Sequence, residues 1–564
     1  MEDRGNGHAF GHPGLSPTWQ TARKIGIGTA YSPRSRVWFT LARGILTEVY
    51  YPRVDVANLR DLQFLVSDGL TFMHEEQYDL QHEVTWLEDG VPAYQVVSSD
   101  PGGRYRLVKR IITDPEADAL IMPVIFEVLE AQAEDYALYL LLNPQIKNQG
   151  WHNSARVTEV EGQTVLVAWR EDIALALVTS APVTKASCGF VGFSDGWQDL
   201  HDNFRMDWTF NAADDGNVAL TAQLDLITAD HRAQTAGGQP SAVGGRFIVV
   251  LGFDSSPDEA IATALATLAK PYADVESAYV AGWRDYLASL GLECLSAGSG
   301  DEGRLVRASA MVLATHEDKA HPGAHIASLS IPWGEQVTAI ETGGYHLVWP
   351  RDLYHIATAR LALGDVPAAL RTLAYLIITQ RSDGAWPQNF WVDGTPYWVG
   401  LQLDEVAFSI MLAWRLWKMD VLGDLDPWPM VRQAALFIAK NGPVTPQERW
   451  EENAGYSPSM LAVEIAALVC AAEFATAAGD EVLARYFLEV ADYWATHVED
   501  WTFTRCGELL PGHREYYERI ASLRPEDMDR AGTECRVFLP LRNRPGEPQV
   551  SQSRLLDPSF LHLV

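Results

Sequence analysis

Two adjacent carboxylates beside an indole are the residues of this chain best suited to acid catalysis. Glu451 and Glu452 follow Trp450 in the segment ERWEENAGYSP (residues 448–458), directly ahead of a long apolar stretch. Burial against an aromatic ring disfavours the charged form of a carboxyl, so such a group can carry a proton at neutral pH and donate it to a leaving oxygen. An alternative interpretation is a solvated acidic pair that caps the next helix. The segment alone does not decide between the two.

Other loops combine aromatic, charged and amide residues just ahead of predicted helices. In HLVWPRDL (346–353), Arg351 and Asp352 could hold neighbouring hydroxyls through charge-assisted hydrogen bonds, or could simply cap the helix that starts at Leu353. In WVGLQLDE (398–405), the Asp404–Glu405 pair is a rival acid/base pair or an N-terminal charge on the next helix. The short loop IPWG (331–334) has a similar composition. Taken singly, none of these loops identifies a reaction.

Size and charge exclude several classes of partner. A chain of 564 residues with 47% apolar residues is too long for a single core, so two or more domains are expected. The formal charge of -31 repels phosphate backbones and anionic lipid, which excludes nucleic acid and membranes as expected partners. The N-terminus has no apolar signal segment and no run of 18 apolar residues occurs, so we predict a soluble cytoplasmic protein.

No cofactor or metal is predicted. The Gly26–Gly28 segment lacks the third glycine and the helix of a dinucleotide site, so we expect a turn there. No calcium-loop pattern occurs either. The cysteines are odd in number and show no C-x-x-C spacing, so we expect buried or idle thiols and neither a disulfide framework nor a zinc site; they are Cys188, Cys294, Cys470, Cys506 and Cys535.

The hydrophobic pattern changes once along the chain. Residues 24–253 alternate short segments rich in Val, Ile, Tyr and Phe with turns, which predicts an antiparallel β-sandwich. Helical periodicity follows, and loops of unequal length between the later helices favour a toroid of helical hairpins. We therefore predict a sandwich domain (1–254), a helical linker (255–300) and a helical domain (301–564), with helices near 302–316, 353–363, 366–380, 403–418, 429–440, 458–478 and 481–498.

Taken together, the loops resemble a known family. HLVWPRDL, QLDE (402–405) and ERWEENAGYSP, in this order, are similar to segments of bacterial glucoamylases and glucodextranases of glycoside hydrolase family 15. The similarity extends upstream through KIGIGTA (24–30), EVYYP (48–52) and SDGW (194–197). The resemblance implies a β-sandwich followed by an (α/α)6 toroid that releases glucose from the non-reducing ends of α-glucans, with inversion at the anomeric carbon.

The resemblance also assigns roles to individual residues. It implies that Glu451 is the general acid and that Glu452 hydrogen-bonds the substrate. The match to the Trp-Glu-Glu phrase lowers the standing of Glu405 as a rival. The remaining matched positions hold the terminal glucose or line the subsites; they are Arg351, Asp352, Trp349, Trp398, Gln402 and Asp404.

One part of the family pattern is not found. An inverting glycosidase needs a second carboxylate as base, roughly 6.5–9.5 Å from the acid. Relatives carry it in a Pro-Glu-Gln phrase beyond the position of Val564, and the seven predicted helices are fewer than the twelve of a closed (α/α)6 toroid. The apolar helix predicted after Asp557-Pro558 also stops after about two turns.

We therefore expect a C-terminally truncated chain with an incomplete toroid and without its base. Two alternatives to a glucoside hydrolase stay open: a disaccharide phosphorylase, in which phosphate replaces the base, and a non-catalytic glucan-binding protein. The preferred linkage (1,4, 1,6 or trehalose) is not predicted.

Overall fold

The chain divides into two compact units. The computed structural model describes residues 7–130, 135–226, 243–331, 338–339, 341–522, 537–541, 546 and 549–564. The first unit comprises Met1–Ala320 and Ile326–His346, and the second comprises His321–His325 and Leu347–Val564. Residues 255–300, predicted as a linker, thus lie within the first unit. Residues 332–334 of the IPWG loop lie outside the described residues.

The first unit contains two antiparallel sheets packed face to face. Phe64 on one sheet contacts Phe247 on the other edge to face, at 6.1 Å between ring centroids. Apolar side chains of both sheets form one continuous buried cluster. Along Tyr94–Ser99, buried and half-buried positions alternate because successive side chains point to opposite faces of a strand. The strands are β1 Gly26–Gly28, β2 Trp38–Ala42, β3 Ile45–Tyr50, β4 Leu59–Ser67, β5 Met73–Glu75, β6 Gln81–Trp86, β7 Tyr94–Ser99, β8 Tyr105–Thr113, β9 Ala119–Val128, β10 Ala137–Pro144, β11 Asn153–Val160, β12 Gln163–Arg170, β13 Ile173–Thr179, β14 Val183–Phe190, β15 Ala212–Gly216, β16 Val218–Leu224 and β17 Val243–Asp254.

Strand order confirms the predicted sandwich. In the described residues, one sheet has the order β1-β2-β3-β4-β10-β16-β14, with β5 also on β4, and the other has β15-β11-β12-β13-β17-β9-β8-β7-β6. The turn predicted at Gly26–Gly28 is wrong, because this segment is strand β1 paired with β2. A Cβ atom on Gly28 would lie 2.4 Å from Cζ of Phe39, so glycine lets the aromatic ring pack against the strand.

Helices also belong to the first unit. Ser256 Oγ accepts a hydrogen bond from the Glu259 amide, and Pro257 occupies the first turn, so an N-cap serine followed by proline starts the helix that packs on β17. Gly252 of β17 permits this close approach, since a Cβ there would lie 2.6 Å from the Ala264 nitrogen. The helices are α1 Glu76–Asp79, α2 Gly196–Asn203, α3 Pro257–Leu268, α4 Tyr272–Ala288, α5 Glu293–Ser299 and α6 Arg304–Thr315, with a 3-10 turn at Ile146–Asn148.

The second unit is built from helical hairpins. Its helices lie within a few residues of the predicted segments, because apolar residues at i, i+3 and i+4 mark the buried faces. Proline occupies the first turn of α7, α8, α10 and α11, where its missing N–H costs no hydrogen bond. The helices are α7 Pro350–Ala362, α8 Val366–Thr379, α9 Leu403–Lys418, α10 Trp428–Asn441, α11 Pro458–Ala477 and α12 Glu481–Thr502.

Three of these helices form an inner row. α7, α9 and α11 pack against one another in series, and α8, α10 and α12 each pack against the inner helix that precedes them. Helix α11 is long and apolar enough, by length and composition, to cross a membrane, and it is the one described helix of which this is true. Most of its residues are buried against α9, α10 and α12, as expected of a central core helix.

Short strand pairs and turns complete this unit. The helix predicted after Asp557-Pro558 is instead a 3-10 helix, Pro558–Leu563, which packs against α11. Its N-cap is Asp557, whose Oδ1 accepts a hydrogen bond from the Ser559 amide at 2.9 Å. The short strands are β18 Asn389–Phe390, β19 Pro396–Trp398, β20 Phe503–Thr504, β21 Tyr516–Tyr517, β22 Phe538–Pro540 and β23 Gln549–Ser551, followed by a 3-10 turn at Gln552–Arg554.

The cysteines correct one prediction. Cys188 and Cys470 are buried free thiols and Cys294 is an exposed one, as expected of residues without a shared site. Cys506, however, is disulfide-bonded, so the prediction of an idle thiol there is wrong. Cys535 lies outside the described residues. Among the residues with a described position, no group of three or more His, Cys, Asp or Glu side chains is arranged to hold a metal ion.

Candidate active site

The N-terminal ends of the inner helices bring the predicted site residues together. Arg351 lies in the first turn of α7, and its Nη1 donates hydrogen bonds to Gln402 Oε1 at 2.5 Å and Asp404 Oδ2 at 3.0 Å. Gln402 is the N-cap residue of α9 and Asp404 lies in its first turn. All three side chains are buried. Carboxylates are favoured in the first turn of a helix, which helps to hold this charge inside the unit.

Arg351 is surrounded by carboxyl groups. Burial lowers its pKa, but the charges of Asp404, Glu405 and Asp352 outweigh burial and raise the pKa above its ordinary value. The guanidinium therefore stays charged. Its Nη2 also lies 3.7 Å from Glu405 Oε1. A fixed, planar cation with several acceptors around it is the arrangement that can position a polar ligand by paired hydrogen bonds.

Two of the surrounding carboxyls have raised pKa values. Burial raises the pKa of Glu405 well above its ordinary value, Arg351 opposes this rise, and the charges of Asp404, Asp352 and Glu451 add to it. Burial also raises the pKa of Asp352, again against the effect of Arg351. Burial thus disfavours the charged form of Glu405. Glu405 is 1% exposed and lies against Arg351, which distinguishes it from Glu451 as a candidate acid.

Glu451 contacts Trp349, which lies close to Arg351 in the sequence. Trp349 Nε1 donates a hydrogen bond to Glu451 Oε1 at 3.2 Å, and Trp349 precedes Arg351 by two residues. Glu451 also contributes to the electrostatic field at Glu405, as Arg351 does. The candidate acid and the candidate sugar-holding pair are thus parts of one site. The indole that contacts Glu451 is that of Trp349, whereas the sequence suggested Trp450.

Trp450 has a different set of contacts. Its indole is 55% exposed, and Nε1 donates to Asp557 Oδ2 at 2.8 Å. The loop around it is tight: Glu451 has φ +65°, in the left-handed region, and its amide donates to the Glu448 carbonyl at 2.8 Å. A left-handed non-glycine residue is costly and is typical of functional loops held by their surroundings.

Glu448 organises this loop from within. One of its carboxylate oxygens accepts from the Trp450 amide at 3.0 Å, and the other accepts from the Glu452 amide at 3.4 Å. Burial raises the Glu448 pKa, and the charge of Arg519 opposes the rise. Arg519 Nη2 lies 3.6 Å from Glu448 Oε1 and donates to Glu452 Oε2 at 2.9 Å. Glu452 is thus fixed beside Glu451 by a guanidinium.

Sequence reasoning did not assign Glu448 or Arg519. Glu448 had a local signal, because an acceptor side chain two residues ahead of a tight turn often binds the turn amides. Arg519 gave none, since it contacts Glu452 from 67 residues further along the chain. Arg449 was also missed; its charge acts on Asp352, His355, Asp557 and His562.

Trp398 lies on a hairpin beside the site. The hairpin pairs β18 with β19, and the Trp398 amide donates to Asn389 Oδ1 at 2.8 Å. Phe390 of the same hairpin pairs with Val348, next to Trp349. A Cβ on Gly400 would lie 2.3 Å from Gln388 Oε1 and 2.6 Å from Gln447 Oε1, so this glycine lets the hairpin exit pack against the segment that leads to Glu448. These contacts join the three predicted loops into one framework.

The chain resembles glucoside-cleaving proteins over nearly its full length. One family model, described as Glucodextranase, domain N, matches residues 9–288, and another, described as Glycosyl hydrolases family 15, matches residues 381–539. A glucoamylase of Clostridium sp. (strain G0005) is 40% identical over 556 residues, which cover 99% of this chain and 74% of that relative. An uncharacterized glycosyl hydrolase of Methanocaldococcus jannaschii is 32% identical over 139 residues, covering 22% of this chain and 21% of that protein.

A solved structure of a similar protein has the same fold. A crystal structure of a bacterial glucoamylase complexed with acarbose aligns with a TM-score of 0.88 at 39% identity, over 99% of this chain and 77% of that one. The predicted fold class, a β-sandwich followed by helical hairpins of the (α/α)6 type, is therefore confirmed.

Proposed function

The chain belongs to the glucoamylases of glycosyl hydrolases family 15, and we propose that it releases glucose from the non-reducing ends of α-glucans with inversion at the anomeric carbon. The observation that carries this proposal is the contact between Trp349 Nε1 and Glu451 Oε1, two residues from Arg351. This contact brings two groups into one site: the carboxyl that we propose as proton donor, and the buried cation that can hold a sugar.

The chemistry assigned to Glu451 is proton donation. In its protonated form it gives its proton to the glycosidic oxygen as the bond between that oxygen and the anomeric carbon breaks. A water molecule forms the new bond to the anomeric carbon from the opposite face, and its proton is released and ultimately reprotonates Glu451. The products are glucose and a glucan shortened by one unit. We assign only the acid; the group that accepts the proton of the water is left unassigned.

The other residues hold the sugar. Arg351 is fixed by its hydrogen bonds to Gln402 and Asp404. Because the guanidinium is planar, these bonds also fix the direction of its remaining N–H groups. Asp352 lies beside it in the first turn of α7. Glu452 is fixed by Arg519 and offers carboxylate oxygens as acceptors for hydroxyl groups. The half-buried indole of Trp398 supplies a flat apolar surface for the C–H face of a sugar ring. Trp349 is 5% exposed and holds Glu451 through the hydrogen bond from Nε1.

The proposal is tested by the products formed from maltotriose. We expect glucose as the first product, appearing as the β-anomer in proton NMR, at a rate independent of added phosphate. The α-anomer would contradict inversion. Glucose 1-phosphate formed only with phosphate would support the phosphorylase alternative and overturn hydrolysis.

A glucan-binding role without turnover is the second candidate. It is favoured by the pairing of the carboxylates near Arg351: Asp404 is bound to Arg351 and Glu452 is bound to Arg519, so both serve as holding groups. Calorimetric titration with acarbose beside the maltotriose assay separates the two functions. Binding with no glucose release supports this candidate, and glucose release eliminates it.

The cytoplasmic location stays a prediction. The disulfide at Cys506 is of a kind that persists mainly in oxidising compartments. Cell fractionation followed by thiol labelling would distinguish a cytoplasmic chain with reduced Cys506 from an exported one.

A further inference from the structure

A second cavity lies at the far ends of the inner helices. It has a volume of about 440 Å³ and is formed by the C-terminal ends of α9 and α11, the loop 420–427 and the start of α10. Asp404 lies in the first turn of α9 and Trp417 in the last, which corresponds to about 20 Å along the helix axis. This cavity is therefore separate from the candidate active site within the same unit.

Its walls are aromatic. Trp417 and Phe474 are stacked, with ring centroids 4.7 Å apart and an interplanar angle of 28°. Trp428 and Phe474 are 6.4 Å apart with an angle of 18°. Each indole plane is thus inclined by less than 30° to the Phe474 ring, Phe474 is buried, and the two indoles are partly exposed. Phe474 stacks on Trp417, and Lys418 Nζ lies 5.1 Å from the Trp417 ring centroid, so the partly exposed indole of Trp428 offers the flat apolar surface to a ligand in the cavity.

The rim of the cavity is acidic. Asp420, Asp424 and Asp426 are exposed along the loop, and Asp426 Oδ1 accepts a hydrogen bond from the Trp428 amide at 3.0 Å. The C-terminal ends of α9 and α11 add the negative ends of two helix dipoles. In a chain with a net charge of -31, this potential repels anionic ligands.

The acidic rim is not a cation site. In the described part of the chain, no three or more His, Cys, Asp or Glu side chains converge as metal ligands. An aromatic cage for a quaternary ammonium ion needs ring faces turned toward a common centre, whereas each indole plane here is inclined by less than 30° to the Phe474 ring. The ligand that fits is neutral, has flat apolar faces and carries hydroxyl groups around its edge.

The geometry points to a second, non-catalytic α-glucan-binding site in this cavity. A sugar C–H face lies against Trp428, and the carboxylates of Asp420 and Asp424 accept hydrogen bonds from sugar hydroxyls. The choice of α-glucan as the sugar rests on the proposed function. Such a site holds a long substrate on the molecule while its non-reducing end is processed at the other end of the inner helices.

The test uses the full chain with the Glu451→Gln substitution and β-cyclodextrin as the probe. A cyclic α-glucan has no non-reducing end, so it is not a substrate for exo-hydrolysis, and its binding does not depend on turnover. By isothermal titration calorimetry we expect Trp428→Ala to weaken binding at least about tenfold. Asp424→Lys, at an exposed position that packing does not constrain, should weaken binding about threefold or more.

Controls separate this site from folding and from catalysis. Tyr493→Ala removes another exposed aromatic ring of the same unit, outside the cavity, and should leave β-cyclodextrin binding unchanged. In the chain with Glu451 intact, Trp428→Ala should leave kcat/KM for maltotriose unchanged.

Three results would overturn the proposal: no binding of β-cyclodextrin, equal binding by the parent and both cavity variants, or saturable binding of tetramethylammonium in place of β-cyclodextrin. Failure to release glucose from maltotriose would instead refute the hydrolase function, and the β-cyclodextrin result would stand by itself.

Discussion

Two buried ion pairs of this protein have opposite surroundings. In the sandwich, Lys109 Nζ donates to Glu76 Oε1 at 2.5 Å and to the Gly44 carbonyl at 2.9 Å. Glu76 also accepts from Ser98 Oγ at 2.8 Å and from the Phe64 amide at 3.1 Å. The hydrogen bonds of both charged groups are thus made with residues of the sandwich. This pair satisfies the condition under which a buried charge is tolerated in a core.

Around the ion pair of Arg351 and Asp404 in the second unit, several polar atoms have no hydrogen-bond partner among the residues that the structure describes. Arg351 binds Gln402 and Asp404, yet Gln402 Nε2, Asp404 Oδ1 and both Glu405 oxygens make no hydrogen bond within the described residues. Such atoms also occur in the sandwich, at Glu48 Oε1 and Tyr50 Oη for example, but four of them belong to the three residues around Arg351. The comparison indicates that one pair serves folding and the other serves a ligand.

Removing each cation in turn should give the largest contrast. Arg351→Met and Lys109→Met each leave a buried carboxylate without its cation, so each should lower the free energy of unfolding by about 3–5 kcal/mol. Only Arg351→Met should also reduce kcat/KM for maltotriose, by at least about a hundredfold. Urea unfolding and steady-state kinetics measure the two effects. Equal kinetic losses in both variants would contradict the division of roles.

The pH dependence of stability should reveal the raised pKa of the carboxyl beside Arg351. Burial raises the pKa of Glu405 well above its ordinary value of 4.5. At pH values between the ordinary pKa and the raised pKa of the folded state, the folded state binds more protons than the unfolded chain. The free energy of unfolding therefore falls as the pH rises through this range. Glu405→Gln removes this titration, and its stability relative to wild type should increase from about pH 5 to pH 8.

Glu464 of α11 supplies the matched control. It is fully buried, and burial raises its pKa well above the ordinary value, with the charge of Asp404 adding to the rise. Glu464→Gln should therefore show the same pH trend in urea unfolding, without a change in kcat/KM. If the free energies of unfolding of wild type and Glu405→Gln differed by the same amount at all pH values, folding would not raise the pKa of Glu405.

Releasing Glu452 should have a smaller effect. Arg519→Met removes the guanidinium that binds Glu452 and Glu448, so the loop around Glu451 loses its anchor. We expect kcat/KM for maltotriose to fall about tenfold, since one positioning contact is lost and the acid itself is retained. Arg284→Met, which removes an exposed pair with Glu88, should not change activity. Wild-type kinetics in Arg519→Met would contradict the anchoring role.

The smallest effect is expected at Trp450. Trp450→Phe removes the hydrogen bond from Nε1 to Asp557 Oδ2 but keeps an aromatic ring at a position that is 55% exposed. A hydrogen bond to a charged group contributes about 1.5–3 kcal/mol, and solvent exposure places this one at the lower end of that range. The activity change should stay within about threefold. A larger loss would assign Trp450 a direct role at Glu451.

Local sequence patterns predicted the helices and strands better than they predicted the tertiary contacts. The inner helices follow from apolar periodicity, and α9 was predicted at its observed ends, Leu403 and Lys418, although it has no proline in its first turn. Strand β1 was missed because Gly26–Gly28 has turn composition, and its pairing depends on Phe39 packing over a glycine. Tertiary packing decided that segment, which composition cannot encode.

The site residues were found by their resemblance to a family, and their partners were not. Trp450 is next to Glu451 in sequence, but the indole that contacts Glu451 belongs to Trp349, which lies 102 residues earlier. Arg519 and Asp557 reach the same loop from 67 and 107 residues away. No periodicity or local motif specifies such pairs, because they depend on how the loops at the helix ends are arranged in space.

The proton-donor role of Glu451 is tested most directly by comparing two leaving groups in Glu451→Gln. Maltotriose needs a proton on its departing oxygen, whereas α-glucosyl fluoride releases fluoride without one. We expect the variant to lose about a thousandfold in kcat on maltotriose and to retain nearly wild-type activity on α-glucosyl fluoride. Equal losses on both substrates, or no loss on maltotriose, would contradict the assignment of Glu451 as the acid.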